Sequence, residues 1–155
     1  MSQRIFLVGL PGAGKTTLGI ALASHLGIRF VDLDAEIEKR AKQSIRSIFS
    51  EKGETHFRQL ERLSLNHVIK ALSTFVMATG GGTPCFFDNM EVMKSVGTTV
   101  FINTPIDAIK KRLQQDTVRP VMQTDTLEDL HEKRVSWYLR ADEKVTTLRE
   151  LTELF

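Results

Sequence analysis

The sequence has 155 residues, which suits one domain with a sizeable core and leaves little room for a second. It is 41% hydrophobic and 26% charged with a net charge of +2, a balance typical of a soluble globular domain and too weakly basic to favour a nucleic-acid partner. No apolar run approaches the length of a membrane span, and the single cysteine, Cys85, cannot form an internal disulfide, as is usual in a reducing cytoplasm. We therefore expect a cytoplasmic monomer that binds neither nucleic acid nor membrane.

The first motif is a glycine-rich turn between an apolar strand and a helix. The strand, 5–8, is followed by Gly9-Leu10-Pro11-Gly12-Ala13-Gly14-Lys15-Thr16, which has the spacing of a P-loop. In such a loop the backbone N–H groups and the helix N-terminus bind phosphates, the lysine neutralises their charge and the threonine hydroxyl can ligate Mg²⁺. The alternative is a glycine-rich turn with an incidental lysine, which the apolar strand and the following helical periodicity disfavour.

Two carboxylates follow the second predicted strand, 29–32. Asp32 and Asp34 are two residues apart, so an extended chain would point them the same way at the carboxyl end of the strand, where α/β sheets bind ligands. One could hold Mg²⁺ through water and the other could accept a proton from a substrate hydroxyl. The alternative is a helix N-cap beside a surface acid.

Residues 35–72 are predicted to be helical, with a break at Lys52-Gly53. The long second part is expected to bury an apolar stripe formed by Phe57, Leu60, Leu63, Val68 and Leu72. On the same helix Arg58 and Glu61 are three residues apart and can pair. They form either a surface ion pair or an arginine held by a glutamate so that it can bind a carboxylate or phosphate.

The third predicted strand, 74–78, ends in three consecutive glycines, Gly80 to Gly82. At the carboxyl edge of a parallel sheet they indicate a second wall facing the ligand, and the alternative is a flexible loop. No acidic residue ends this strand, so Asp32 is the carboxylate expected beside the metal.

The rest of the chain predicts a fourth strand at 98–103, a helix at 106–114, a last long helix at about 126–140 and a fifth strand at 144–148. The polar segment before the last helix contains Arg119 and suits a mobile lid, in which this arginine could close over phosphates. The alternative for Arg119 is a solvated loop residue.

These motifs together resemble the shikimate kinase family. The resemblance covers nearly the whole chain and is carried by the P-loop, Asp32-Leu33-Asp34, Ile48-Phe49, Gly53-Glu54, Phe57-Arg58, Glu61, Thr79-Gly80-Gly81-Gly82, Val118-Arg119-Pro120, Arg134, Tyr138 and Ala141. It implies an α/β, three-layer α/β/α P-loop kinase fold, with five parallel strands in the order 2-3-1-4-5. It also implies a single kinase domain over 1–155, with a helical substrate-binding segment at about 33–62 and a lid at about 114–125.

The resemblance further implies the reaction, in which the γ-phosphoryl of ATP is transferred to the 3-hydroxyl of shikimate with Mg²⁺ as cofactor. The catalytic residues would be Lys15, Asp34 and Arg119. ATP would be bound by Gly12, Ala13, Gly14, Lys15, Thr16, Thr17, Arg112 and Arg119. Shikimate would be bound by Asp34, Phe49, Phe57, Arg58, Glu61, Gly80, Gly81, Gly82 and Arg134, and the metal by Thr16 and Asp32.

Two features depart from the family pattern. The usual Arg-x-Pro-Leu-Tyr is here Arg134-Val135-Ser136-Trp137-Tyr138, and only 149–155 follow the predicted fifth strand, which leaves little room for an adenine-binding loop. Two other functions fit the sequence less well. A non-catalytic sensor is disfavoured because all the expected chemical residues are present, and another small-molecule kinase, such as a gluconate or nucleoside-monophosphate kinase, is disfavoured by the pair Arg58 and Arg134.

Overall fold

The computed structural model describes residues 2–115 and 126–155, and these form five strands and seven helices. The strands are β1 (Gln3–Val8), β2 (Phe30–Asp32), β3 (Thr74–Ala78), β4 (Thr98–Ile102) and β5 (Glu143–Val145). The helices are α1 (Lys15–Leu26), α2 (Leu33–Ala41), α3 (Ile45–Ala71), α4 (Asn89–Val96), α5 (Ile106–Gln115), α6 (Leu127–Tyr138) and α7 (Leu148–Glu153). No helix in these two ranges is long and apolar enough to cross a membrane.

The strands form one parallel sheet in the order β2-β3-β1-β4-β5, which confirms the expected fold class. In the central strand β1, Ile5 pairs with Val76 on one side and with Thr98 on the other. Residues 5–8 are all completely buried, although successive side chains point to opposite faces of the sheet. Helices therefore cover both faces, and the carboxyl ends of β1, β2 and β3 open onto a common edge.

The helix ends follow the local sequence signals. Helix α1 ends at Gly27, whose left-handed backbone (φ 67°) lets its N–H bond the carbonyl of Ala23. Helix α6 begins with a capping box, in which Thr126 and Asp129 each accept a hydrogen bond from the other's backbone N–H. Helix α3 is interrupted at Gly53, where the sequence predicted a break.

Two details of the predicted elements were wrong. Leu63 does not belong to the buried stripe of α3, since it is 59% exposed, and the buried face carries Arg58, Glu61 and Ser64 beside Leu65 and Val68. The fifth strand is shorter than 144–148, because it stops at Val145 and Thr147 then caps α7 through the backbone N–H of Glu150. The buried face of α3 is thus partly polar, and the cap of α7 follows β5 within two residues.

Most of the expected lid, and Arg119 within it, lies outside the described residues. The segment expected to bind substrate, about 33–62, corresponds to α2 and to the first two thirds of α3.

Substitution Gly97→Ala is expected to destabilise the fold by about 1–3 kcal/mol through overpacking. Gly97 joins α4 to β4 in an extended conformation (φ −167°), and a Cβ there would overlap the carbonyl oxygen of Arg4 and lie 2.8 Å from its Cβ. Urea unfolding followed by circular dichroism measures the loss. Ser95→Ala, in the last turn of α4, is the control and should change the free energy of unfolding by less than about 0.5 kcal/mol; a Gly97→Ala loss no larger than this would contradict the prediction.

Candidate functional site

A cavity of about 980 Å³ opens at the carboxyl edge of the sheet. It brings together every predicted site residue within the described ranges: Gly12, Ala13, Gly14, Lys15, Thr16, Thr17, Asp32, Asp34, Phe49, Phe57, Arg58, Glu61, Gly80, Gly81, Gly82, Arg112 and Arg134. Arg119, the remaining predicted residue, falls outside those ranges. Residues far apart in the chain thus converge on one space, as the parallel topology dictates.

The P-loop forms one end of the cavity. Gly12 and Gly14 adopt positive φ angles (81° and 100°), which turn the backbone around the start of α1. The buried ammonium of Lys15 donates to the carbonyls of Gly9 (2.6 Å) and Leu10 (2.9 Å), so the charge is held within the loop. Arg112 also lines the cavity, and its guanidinium donates to the Gly12 carbonyl at 3.3 Å. The arrangement concentrates positive charge and N–H dipoles at one place.

Asp32 and Asp34 lie beside the P-loop at the start of α2. Asp32 is the N-cap, since its Oδ1 accepts from the backbone N–H of Asp34 (3.0 Å) and of Ala35 (3.3 Å). The N-cap interpretation was therefore correct, but both carboxylates also line the cavity. Asp34 belongs to the first turn of the helix and not to an extension of β2.

Asp34 has an unusual electrostatic environment. Solvent reaches its side chain through the cavity, but protein surrounds the cleft and removes much of the water around the carboxylate. This burial, together with the neighbouring carboxylates of Asp32 and Glu61, raises the pKa of Asp34 to about 6, against the opposing effect of Lys15. A carboxyl group with a raised pKa is a better proton acceptor than an ordinary aspartate.

Hard oxygen donors lie next to the P-loop. The hydroxyl of Thr16 and the carboxylate of Asp32 line the same cavity, and one oxygen of Asp32 is already used in capping α2. Within residues 2–115 and 126–155 no group of three or more His, Cys, Asp or Glu side chains forms a metal cage. Because Mg²⁺ keeps several waters and usually takes only one or two protein ligands beside substrate phosphates, this pair of donors fits it.

The other end of the cavity is organised around a buried ion pair on α3. Arg58 Nη1 donates to Glu61 Oε1 at 3.0 Å, and both side chains are almost completely buried. Arg58 Nε and Nη2 also reach Oε1 of Glu54, at 3.4 Å, and this glutamate is mostly exposed. Within residues 2–115 and 126–155, three of the five guanidinium N–H groups have these partners and two have none. The pair is not the surface ion pair that the spacing alone allowed.

The three glycines form a wall that closely approaches both arginines. A Cβ on Gly82 would lie 2.6 Å from both terminal nitrogens of Arg58, and one on Gly81 would lie 3.0 Å from Arg134 Nη1. Tyr138 fixes this wall by donating from its hydroxyl to the Gly81 carbonyl at 2.6 Å. A side chain at Gly81 or Gly82 would therefore crowd an arginine, whereas one at Gly80 would crowd Asp34, Glu61 and Thr83.

Arg134, from α6, is 9% exposed, and its Nη1 has no hydrogen-bond partner in the described part of the chain. A buried guanidinium nitrogen without a partner is costly, so this atom indicates where an anion binds. Nearby Cys85 is a poor candidate for chemistry, because burial raises the pKa of its thiol to about 11 and keeps it protonated at neutral pH.

Sequence reasoning missed several residues of this site. Thr83 joins the glycine wall to the ion pair, since its hydroxyl donates to Glu61 Oε2 (2.8 Å) and accepts from the Gly80 N–H (2.9 Å). Phe86 lies with its ring 4.1 Å from the guanidinium carbon of Arg58. No sequence pattern marks either residue as part of the site. A threonine after a run of glycines is common in turns, and a phenylalanine there is common in an apolar core.

The family of this chain follows from a match to a family model, since the shikimate kinase model matches residues 11–154. The chain belongs to the shikimate kinase family. A curated shikimate kinase of Bacteroides fragilis is 46% identical over 147 residues, which span 90% of this chain and 82% of that protein. One of Parabacteroides distasonis is 42% identical, over 97% of this chain and 91% of that protein.

Solved structures of shikimate kinases are similar to this chain in fold and sequence. The shikimate kinase of Bacteroides thetaiotaomicron has a TM-score of 0.89 at 38% identity, covering 99% of this chain and 98% of that one. The Acinetobacter baumannii shikimate kinase in complex with shikimate has a TM-score of 0.88 at 36% identity, covering 99% and 90%. A sugar kinase from Janibacter, 16% identical with a TM-score of 0.65, shares the fold alone.

The carboxy-terminal side of this shikimate kinase cavity is formed by Thr146, Thr147 and Leu148. The Thr146 N–H and the Thr147 hydroxyl both donate to Glu150 Oε1, at 3.3 and 3.2 Å. The short segment after β5 therefore contributes to the site, although the sequence left little room for a loop there.

Substitution Thr83→Val is expected to lower the free energy of unfolding by about 2–3 kcal/mol, because it leaves a buried carboxylate oxygen of Glu61 and the Gly80 N–H without their partner. Thr83→Ser keeps the hydroxyl and loses one methyl group, so its loss should be about 1 kcal/mol. Urea denaturation of both variants beside the wild type measures the difference, and equal losses would show that the hydroxyl is not the group that matters.

Proposed function

We propose that this member of the shikimate kinase family transfers the γ-phosphoryl group of ATP to the 3-hydroxyl of shikimate, giving ADP and shikimate 3-phosphate. The observation that carries the proposal is a P-loop and two buried arginines that line one cavity, with Asp34 under the influence of both Lys15 and Glu61. Triphosphate and carboxylate are the anions of the two substrates.

We assign the shikimate carboxylate to Arg58 and Arg134. In the part of the chain that the structure describes, Arg58 has two N–H groups without partners and Arg134 has one buried nitrogen without a partner, so a carboxylate between them would satisfy both. Glu61 orients Arg58, and the backbone of Gly80 to Gly82 closes the same side. Phe49 and Phe57, with ring centroids 4.7 Å apart, supply an apolar wall for the cyclohexene ring.

We assign the triphosphate to the P-loop backbone, Lys15 and Thr17, with Arg119 closing from the lid segment at about 114–125. We assign the adenine ring of ATP to Arg112. Thr16 and Asp32 would hold Mg²⁺, which neutralises phosphate charge and orients the γ-phosphoryl group. In this assignment Lys15 leaves the carbonyls of Gly9 and Leu10 for phosphate oxygens, a change of hydrogen-bond partner within one loop.

The chemical step forms a bond between the 3-oxygen of shikimate and the γ-phosphorus and breaks the bond to the β–γ bridging oxygen, in line. Asp34 takes the proton from the 3-hydroxyl as the new bond forms. Positioning of the two substrates and neutralisation of the phosphate charge provide most of the rate enhancement, because phosphoryl transfer requires little covalent chemistry from the protein.

A coupled assay of ADP release tests the reaction, with ATP and Mg²⁺ present and shikimate added or omitted. We expect ADP release that depends on shikimate, and mass spectrometry should show a singly phosphorylated acceptor. Lys15→Met should abolish it. Turnover with gluconate or a nucleoside monophosphate but not with shikimate would assign the chain to another kinase activity, and binding of shikimate by calorimetry without turnover would favour a sensor.

Substitution Asp34→Asn is expected to lower kcat by about 10²–10⁴-fold, because an amide cannot accept the proton, while the affinity for ATP stays close to that of the wild type. Steady-state kinetics and calorimetric titration with ATP measure the two effects.

Glu38→Gln is the matched control for this substitution. Glu38 lines the same cavity from the same helix, and its bond from the Ile45 N–H can be kept by the amide oxygen. The control should change kcat by less than about threefold. A near-normal kcat for Asp34→Asn would remove Asp34 from the proposed role.

A further inference from the structure

Phe86 lies directly after the 3-10 turn Thr83–Cys85 and places its half-buried ring against Arg58. We propose that Phe86 is a positioning residue for substrate binding: its ring sets the plane of the Arg58 guanidinium and so the direction of the N–H groups that receive the substrate carboxylate. This inference rests on the proposed role of Arg58 as a carboxylate ligand.

The ion pairs of Arg58 leave this plane incompletely defined. The contact with Glu61 is short, but it involves one terminal nitrogen, and the contacts with Glu54 are long and reach a mostly exposed carboxylate. Exposed ion pairs of this kind contribute little. The ring of Phe86 is 4.1 Å from the guanidinium carbon, whereas that of Phe57 is 5.1 Å away, so Phe86 is the nearer of the two aromatic contacts.

An aromatic contact suits an arginine that must also bind an anion. A third carboxylate beside Arg58 would take up the N–H groups that remain and would repel the substrate. An aromatic face attracts the cation through its quadrupole and accepts none of the in-plane N–H groups. The ring of Phe86 can therefore restrain the guanidinium while leaving its two remaining donors directed at the ligand.

The backbone around Phe86 is built to hold this position. Phe86 is extended (φ −121°), and Phe87 then adopts a left-handed conformation (φ 52°) that is uncommon for an aromatic residue. The segment is held by Asn89, whose Nδ2 donates to the Thr83 carbonyl (2.9 Å) and whose N–H donates to the Phe86 carbonyl (3.3 Å). Consecutive rings consequently meet different arginines, Phe86 the buried Arg58 and Phe87 the exposed Arg62, at 5.0 Å.

The test is the steady-state kinetics of Phe86→Leu, which removes the aromatic face and keeps an apolar side chain. We expect the KM for shikimate to rise by about five- to twentyfold, the range for loss of a desolvated cation–π contact, while kcat and the KM for ATP change by less than about twofold. Calorimetric titration with shikimate should show the same loss of affinity. Phe86→Tyr keeps the ring face and should restore the KM to within about twofold of the wild type.

Phe87→Leu is the matched control, because it removes the neighbouring ring from Arg62, outside the cavity. It should leave the KM for shikimate within about twofold of the wild-type value. A rise in KM as large as that of Phe86→Leu would show a general effect of disturbing this turn and would overturn the proposal.

A double-mutant cycle with Arg58→Lys separates positioning from a structural role. A lysine has no planar fork, so in that background Phe86→Leu should raise the KM for shikimate by less than about twofold. If the two substitutions raise the KM for shikimate by independent factors that multiply in the double variant, the proposal is overturned. An unchanged KM in Phe86→Leu would also overturn it. If the leucine variant does not fold, Phe86→Met carries the same test.

The outcomes also distinguish this inference from the proposed function. Wild-type protein without shikimate-dependent turnover or shikimate binding would overturn both. An active wild type that loses shikimate affinity in Arg58→Lys but not in Phe86→Leu would overturn the role of Phe86 alone.

Discussion

The carboxylate of Glu61 is completely buried, and its two oxygens bind Arg58 and Thr83. Removing one member of the buried ion pair costs about 3–5 kcal/mol, so Arg58 and Glu61 must stay together in the folded protein. Through Thr83 this requirement extends to the Gly80 N–H, and through Arg58 to the lining of the cavity. One buried charge thus ties the long helix α3, the glycine wall and the anion site into a single rigid unit.

The P-loop and the arginine pair are held in place by different kinds of interaction. The P-loop end depends on backbone geometry and on bonds that Lys15 makes to main-chain carbonyls, so its donors can pass to phosphate oxygens. The arginine end depends on side chains fixed by carboxylates and rings before any ligand arrives. Such preorganisation reduces the entropy lost on binding and suits the recognition of a small, rigid anion.

The P-loop, the paired aspartates and the glycine wall could be predicted from the sequence. Each depends on a residue type or a spacing that can be read along the chain. The strand order came from the family resemblance and was confirmed. The burial of Glu61 and the exposure of Leu63 were not predicted. An apolar stripe in a sequence does not show which charged side chains are buried beside an oppositely charged partner. Phe86 acts through a contact with Arg58 across 28 positions of the chain (86 − 58), which no local pattern reveals.

The break in α3 determines how closely two aromatic rings of the cavity approach each other. Phe49 and Phe57 are eight positions apart, a separation of about 12 Å along a regular helix, yet their ring centroids are 4.7 Å apart because Gly53 interrupts the helix between them. A Cβ built on Gly53 would meet no atom within 4 Å in the described part of the chain beyond the adjacent backbone, but its φ of 83° and ψ of 173° belong to a region that only glycine occupies readily. The spacing of the two rings therefore depends on a residue whose replacement is opposed by its backbone conformation and not by crowding from other side chains.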